Sequence, residues 1–424
     1  MTDFIKRHPL IFIFMLAVVA RVLLLFAFPL PDQAGGDFSL YQRMADNILA
    51  QGNLGGEPQK TYGSPSISPG FAFFLAGYEF FFGKSIAALV PASVVMSGLL
   101  AVSVYLLALR FFDERVAFIA GIVTALWPVF LIQTFAYGNS LLLYTTVLIW
   151  GVYFLAKAVR GEHWLYAVLS GILLGFAALV DAVGFFIPFV LVAWLFFERF
   201  EWRTIRIALL FLVAVGLVIA PWTYRNIIVA EQLGVQSGSP IISKGEIKHV
   251  TPKQLSLTAK LVSADGVLSS GLSKIYVFPY DISALDRLSV ETEAQREAFS
   301  YKERLFKLVL GDDVALSYKE QVVLMIKISI TLLHWLLLAL AGGALVYMIR
   351  SRRWSLPVLV VLLTGYVTVA VIGFGSLAQD DFQSISGPNS FLFPLVPLFI
   401  ILASFSLVSL YEKIKAIKNT LPPA

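Results

Sequence analysis

The sequence predicts an all-α, polytopic membrane protein, and three observations carry that expectation. Of the 424 residues, 58% are hydrophobic and 14% are charged, against roughly 45–50% and roughly 25% in soluble domains. Mean hydropathy is +0.81. Ten apolar runs (9–30, 86–109, 116–135, 140–158, 163–180, 183–198, 204–222, 322–349, 354–374 and 390–411) approach the ~20 residues that a helix needs to cross a bilayer. This profile excludes a water-soluble globular enzyme, a disordered chain and a nucleic-acid-binding domain.

The first run has no small-residue cleavage pattern after it and reads as a retained span. The fifth and sixth runs are separated only by Asp181 and Ala182, which implies a tight hairpin. Orientation follows from the short loops. With the N-terminus in the cytoplasm, the inner segments hold fifteen Lys and Arg, among them Lys6, Arg110, Arg160, Arg206 and Arg353. The short segments 136–139, 181–182 and 375–389 hold none. An even number of spans puts both termini inside and two long segments, 31–85 and 223–321, outside. The net charge of +5 then divides into +8 on the cytoplasmic side, −5 on the outer side and +2 from the embedded Arg21 and Lys327. It reports topology, not an acidic partner.

The chain divides into three parts: a core of 1–222 that includes the outer loop 31–85, a loop domain of 223–321, and the spans and short tail of 322–424. In the first outer loop, Leu40, Tyr41, Met44, Ile48 and Leu49 share one face of a helix over 38–51. Residues 69–82 open with Pro69 and are too short to span. Both segments read as helices lying in the interface. The 223–321 domain carries 12 cations and 12 acids, with a helical stripe over 285–310 and a capping box at Ser317–Glu320. No inverted repeat of the transporter kind is visible.

Few residues can carry chemistry. There are no cysteines, and His8, His163, His249 and His334 are too scattered for a multi-histidine metal site. Asp37 follows Gly35-Gly36 at the start of the first interfacial helix. It reads as an N-cap and as a general base for an acceptor hydroxyl, roles that do not exclude each other. Arg21 lies mid-span, where a charge is costly, and calls for an internal anionic partner. Lys327 is near enough to its helix end to snorkel. Arg225, within Trp222-Thr223-Tyr224-Arg225-Asn226, suits either an interfacial anchor or a contact to a lipid phosphate. Asp380-Asp381 is a weak divalent-cation signal for which a solvated loop suffices. Glu79, inside an aromatic run, faces either water or a cavity.

These features together resemble the GT-C membrane glycosyltransferases, and among them the protein O-mannosyltransferase-like group that includes the lipid A aminoarabinose transferases. The resemblance rests on Asp37-Phe38-Ser39-Leu40-Tyr41 and Ala45–Leu49 after the first span, then Ser68-Pro69-Gly70-Phe71 through Phe82-Gly83. Tyr105–Phe112, Arg115-Val116-Ala117 and Ala220–Asn226 complete it. It covers about the first 230 residues. It implies a transferase that takes a sugar from a polyprenyl-phosphate carrier at the outer face, with Asp37 as the catalytic carboxylate. Lys60, Arg225, Tyr41, Arg21, Asn139 and Asp181 are the implied phosphate- and substrate-binding residues. The implied partners are the lipid-linked donor, a lipid, protein or glycan acceptor, and membrane lipids. The implied location is a bacterial inner membrane.

The sequence departs from that family at four places. Asn139 stands where an acid is usual, Asp181 where a base is usual, and Asn389 where an Arg is usual. The base before Pro69-Gly70 is missing, with Lys60 several residues upstream. A rebuilt donor site, an unusual donor, a non-catalytic relative that binds lipid-linked sugar, and a glycolipid transporter are the readings these departures leave. No cofactor is required by the sequence; a divalent cation stays open.

Overall fold

A computed structural model describes residues 2–26, 37–52, 68–84, 86–134, 140–232, 318–377 and 393–420. All regular structure among these residues is helical. The chain opens with α1 (Thr2–Arg7) and α2 (Pro9–Leu25), followed by α3 (Asp37–Gln51), α4 (Gly70–Phe82) and α5 (Ile86–Phe111). Next come α6 (Glu114–Leu126), α7 (Pro128–Gln133), α8 (Ser140–Val159), α9 (Leu165–Val180), a 3₁₀ turn (Ala182–Phe186) and α10 (Ile187–Glu198). The last long helices are α11 (Trp202–Gln232), α12 (Tyr318–Arg350), α13 (Ser355–Leu377) and α14 (Val396–Thr420), with a 3₁₀ turn (Phe393–Leu395) leading into α14.

The protein is an integral multi-pass membrane protein. Among the described residues, five helices are long and apolar enough to cross a bilayer by length and composition. Each predicted apolar run is mostly helical where it is described, and helices form as α3 and α4 at the two segments expected to lie in the interface. Most of the 223–321 domain, including the predicted helix at 285–310, lies outside the described residues, as does Ser317. The helix expected after that serine begins at Tyr318.

Packing follows small residues and the backbone's need for internal hydrogen bonds. In the absence of water, helices associate through close contact and polar cross-links. A Cβ placed on Gly171 of α9 would stand 2.5 Å from the Phe211 carbonyl of α11, so glycine sets that crossing distance. Ser170 donates to the Gly151 carbonyl at 2.7 Å and joins α9 to α8. Trp150 Nε1 reaches the Leu99 carbonyl at 3.2 Å and joins α8 to α5. Further helices complete the bundle: α2 on α5 and α6, α14 on α6 and α12, and α10 on α13. Leu209, Val213 and Leu217 of α11 and Met325, Leu332 and Leu336 of α12 stay exposed, as lipid-facing residues do.

Two spans differ from expectation. The apolar run 116–135 is broken at Trp127-Pro128 into α6 and α7. Pro128 has no N–H to offer and crowds the preceding turn. It also drives Trp127 to an extended conformation, φ −63° and ψ 121°. The break frees carbonyls at the end of α6 inside the bundle, and Arg21 meets one of them. Its Nη1 donates to Ala125 O at 2.6 Å and to Ala17 O at 3.0 Å, while Nε donates to Thr134 Oγ1 at 3.3 Å. The partners of Arg21 among the described residues are therefore carbonyls and a hydroxyl, where the sequence called for an anion. In the second case, α11 passes through Pro221 to Gln232 and does not end at Trp222. Arg225 thus sits on a helix and not in a loop.

Removing Arg21 should leave the Ala125 carbonyl orphaned in a buried setting, at a cost of about 1–3 kcal/mol. Arg21→Met is expected to lower the thermal unfolding midpoint in detergent by several degrees. Thr134→Val should cost less, because Arg21 retains both carbonyl contacts.

Candidate functional site

The site is assembled at the end of the bundle that carries α3 and α4. These helices lie against each other through polar and aromatic contacts. Gln42 Nε2 donates to Glu79 Oε1 at 2.6 Å. Lys84 Nζ pairs with Asp46 Oδ2 at 2.6 Å at the exposed edge. Tyr41 meets Phe71 edge to face, with ring centroids 5.2 Å apart. Asp37 is the first residue of α3, in the first turn, where the helix dipole favours an acid. Glu79 faces α3 and is buried, which decides between the two orientations that the sequence left open. Its Oε2 has no partner among the described residues. Burial pushes its carboxyl above the usual range, and the Gln42 bond only partly reverses that.

The α3–α4 pair is seated on the rest of the protein by α4. A Cβ on Gly70 would stand 2.6 Å from the Leu179 carbonyl carbon and the Val180 nitrogen. No side chain fits there, so the start of α4 touches the end of α9 backbone to backbone. The next residue along α9 is Asp181. Its Oδ1 accepts the Val183 N–H at 2.9 Å, and its carbonyl accepts the Gly184 N–H at 2.9 Å. The tight hairpin predicted there is a capped 3₁₀ turn. Burial raises the Asp181 carboxyl above its ordinary range, and the Val183 bond pulls it back in part. Tyr144 of α8 and Tyr366 of α13 flank this turn. Tyr366 donates to the Val183 carbonyl at 2.6 Å, and the Tyr144 ring lies against Gly184.

Arg225 stands on α11 with its guanidinium 4.8 Å from the centre of the Trp222 ring and donates to Asn226 Oδ1 at 3.0 Å. A cation held over an aromatic face keeps its orientation without losing its charge. Lys327 is 2% exposed. It is packed into the bundle, so snorkelling does not describe it. Lys60, Asn139, Asp380, Asp381 and Asn389 lie outside the described residues. Among the described residues, no group of three His, Asp or Glu could hold a metal.

The structure thus docks α3, which carries Asp37 and Tyr41, on α4, and seats α4 against the end of α9 that precedes Asp181; it ties Arg21 into the α6–α7 break. Sequence reasoning missed Tyr144, Tyr366 and the Gln42–Glu79 pair. A tyrosine followed by two threonines at the head of an otherwise apolar run, Tyr144-Thr145-Thr146, was the available signal.

The fold is GT-C-like by its likeness to solved structures. Residues 65–224 match the family described as dolichyl-phosphate-mannose-protein mannosyltransferase. That segment contains α4 and Asp181 and begins after Asp37. No curated protein matches the chain. The fold is similar to that of the Archaeoglobus fulgidus oligosaccharyltransferase tethered to an acceptor peptide containing the NVT sequon. That likeness has a TM-score of 0.61 and 15% identity over 98% of this chain and 51% of that one. It is also similar to AglB of the same organism in complex with an inhibitory peptide and a dolichol-phosphate, at 0.54 and 16% identity over 99% and 53%. ArnT from Cupriavidus metallidurans bound to undecaprenyl phosphate aligns at 0.43 and 14% over 94% and 77%. The chain spans about half the length of the oligosaccharyltransferases it matches.

Two outcomes test this geometry. Gly70→Val should force α4 away from α9 and lower thermal stability, because backbone cannot yield as a side-chain tip does. Glu79 should impose a pH slope. A carboxyl with a raised folded pKa binds more protons folded than unfolded, so stability falls as pH rises from the ordinary carboxylate range to the shifted value. Melting curves from about pH 4 to about pH 7 should show this slope in the wild type and a flatter profile in Glu79→Gln.

Proposed function

We propose that the protein is a glycosyltransferase. It moves a sugar from a polyprenyl-phosphate carrier to a hydroxyl of a lipid, protein or glycan acceptor. The observation that carries this reading is that α3 is docked, through Gln42–Glu79 and Tyr41–Phe71, onto the segment that matches the mannosyltransferase family. Asp37 is thereby attached to the matched segment although it precedes it in the chain. The dolichol-phosphate and acceptor peptide in the structures of similar fold are in keeping with this chemistry.

In the proposed reaction Asp37 accepts the proton of the acceptor hydroxyl as its oxygen bonds to C1 of the sugar. The bond from C1 to the phosphate oxygen breaks, and the polyprenyl phosphate leaves with the electron pair. A single displacement inverts C1. Positive charge is needed where the phosphate departs. Arg225, and Lys60 from the first loop, are the proposed cations. A substrate anchored in the bilayer arrives sideways, which places the reaction at the interface. In the proposed topology α3 and α4 face outward from a bacterial inner membrane, ten spans cross it, and both termini are cytoplasmic. The 223–321 segment lies on the outer side in this topology.

Asp37→Asn is expected to fold and insert normally, to bind the lipid-linked donor, and to lose transfer to below about one hundredth of wild type, the usual contribution of a general base. Full activity in that variant would remove Asp37 from the role of base. Donor binding without turnover in the wild type, across a panel of sugars and acceptors, would point instead to a non-catalytic relative. The acid at Asp181, where the family has a base, favours that second reading.

A further inference from the structure

We infer that Asp181 and Tyr144 form a subsite for the hydroxyl groups of a neutral sugar, and that this subsite turns away the phosphate of the carrier. The inference rests on the glycosyltransferase reading and names the part of the donor received at this end of α9.

The turn after α9 presents an incomplete set of polar groups. Asp181 commits Oδ1 to the Val183 N–H, and its half-buried side chain leaves Oδ2 without a hydrogen bond among the described residues. Tyr144 is 1% exposed, and its hydroxyl has no partner among the described residues. Buried polar groups are nearly always paired, so an unpaired one asks for an occupant. The ring is held firmly. Its Cε2 lies 3.0 Å from where a Cβ on Gly184 would be, so glycine is what lets the phenol come against the turn. Tyr366 closes the other side by donating to Val183 O.

The occupant must suit a carboxylate acceptor beside a phenol donor. A sugar hydroxyl does both jobs: it donates to Asp181 and accepts from Tyr144. A phosphate offers acceptors only and carries charge of the same sign as Asp181. A divalent cation would want several oxygen ligands, and no group of three acids or histidines exists among the described residues. The subsite adjoins α4, on which the proposed catalytic helix α3 is docked, since Leu179 and Val180, just before Asp181, lie against Gly70 at the start of α4.

The test is direct binding by the full-length protein in lipid nanodiscs. The probes are undecaprenyl phosphate alone and undecaprenyl phosphate carrying mannose, glucose, galactose or arabinose. The wild type should hold at least one sugar-bearing lipid more tightly than the bare one. Tyr144→Phe keeps the ring in its slot, and Asp181→Asn keeps the Val183 cap. Each should weaken the preferred sugar lipid about tenfold, the scale of one lost hydrogen bond to a charged group, and leave the bare lipid unchanged. Equal losses for both lipids, no loss for the sugar lipid, or no sugar preference in the wild type would overturn the subsite. Turnover is read separately. An active Asp37→Asn variant would sink the catalytic reading while leaving the binding preference to stand or fall by itself.

Discussion

The rest of the site depends on the contact between Gly70 and the Leu179–Val180 backbone. An amphipathic helix partitions into a membrane interface by its apolar face, and that force fixes depth but not lateral position. α3 and α4 would be free to slide over the bundle if partitioning alone held them. Backbone-to-backbone contact at Gly70 removes that freedom, and the Gln42–Glu79 bond transmits the constraint to α3. A catalytic carboxylate has to be held to within about half an ångström. The helix that carries Asp37 is tied down by a chain of contacts that runs from α9 to α4 to α3. The Asp181 turn next to Gly70 is in turn braced by Tyr366 from α13, so the far end of the chain contributes to the same geometry.

Inside the bundle a different constraint governs. A bilayer offers no water to a freed carbonyl, so a broken helix is tolerated only where protein groups replace the lost bonds. Pro128 breaks the α6–α7 run, and Arg21 meets the break with one bond to the Ala125 carbonyl and one to Thr134 Oγ1. Placing a guanidinium at 0% exposure is costly; Nε and Nη1 are bonded, while Nη2 has no partner among the described residues. Here an intramembrane charge, which ordinarily marks a functional pathway, has a structural use. A guanidinium suits the task because its planar donors reach several acceptors at once, whereas an ammonium on a flexible stem would be less well oriented.

Much of the fold could be read in advance because it depends on local pattern. The apolar runs, the interfacial helices at 38–51 and 69–82, and the hairpin at Asp181 all follow from periodicity, proline and glycine. What escaped depends on tertiary partners. The direction of Glu79 is decided by Gln42, thirty-seven positions earlier in the chain. Lys327 lies within snorkelling distance by sequence, yet the neighbouring helices bury it. The α6–α7 break has a sequence signal in Trp127-Pro128, but an apolar run of adequate length outweighed it. α11 continues past Pro221 because a proline bends a helix without ending it when the following residues remain helix-compatible. Within the candidate site, the place of Asp37 and Tyr41 on one helix is legible from their motif. Tyr144 is not, since an aromatic in an apolar span is ordinarily core and only the unpaired hydroxyl sets it apart.

The charge on Asp181 has a consequence for how a lipid-linked sugar would be oriented. Two unit charges of like sign 4 Å apart repel by about 4 kcal/mol at an effective dielectric of about 20. One charge-assisted hydrogen bond returns about 1.5–3 kcal/mol. A phosphate placed beside an ionised Asp181 would therefore be a net loss even with a good donor nearby. Burial raises the Asp181 carboxyl, so the repulsion is full only above its shifted value, and Arg225 is set over Trp222 on α11, apart from the turn that bears the acid. A donor obeying these forces has its phosphate drawn toward the cation and its hydroxyls toward the carboxylate. That leaves C1, the atom between them, as the part of the molecule open to attack.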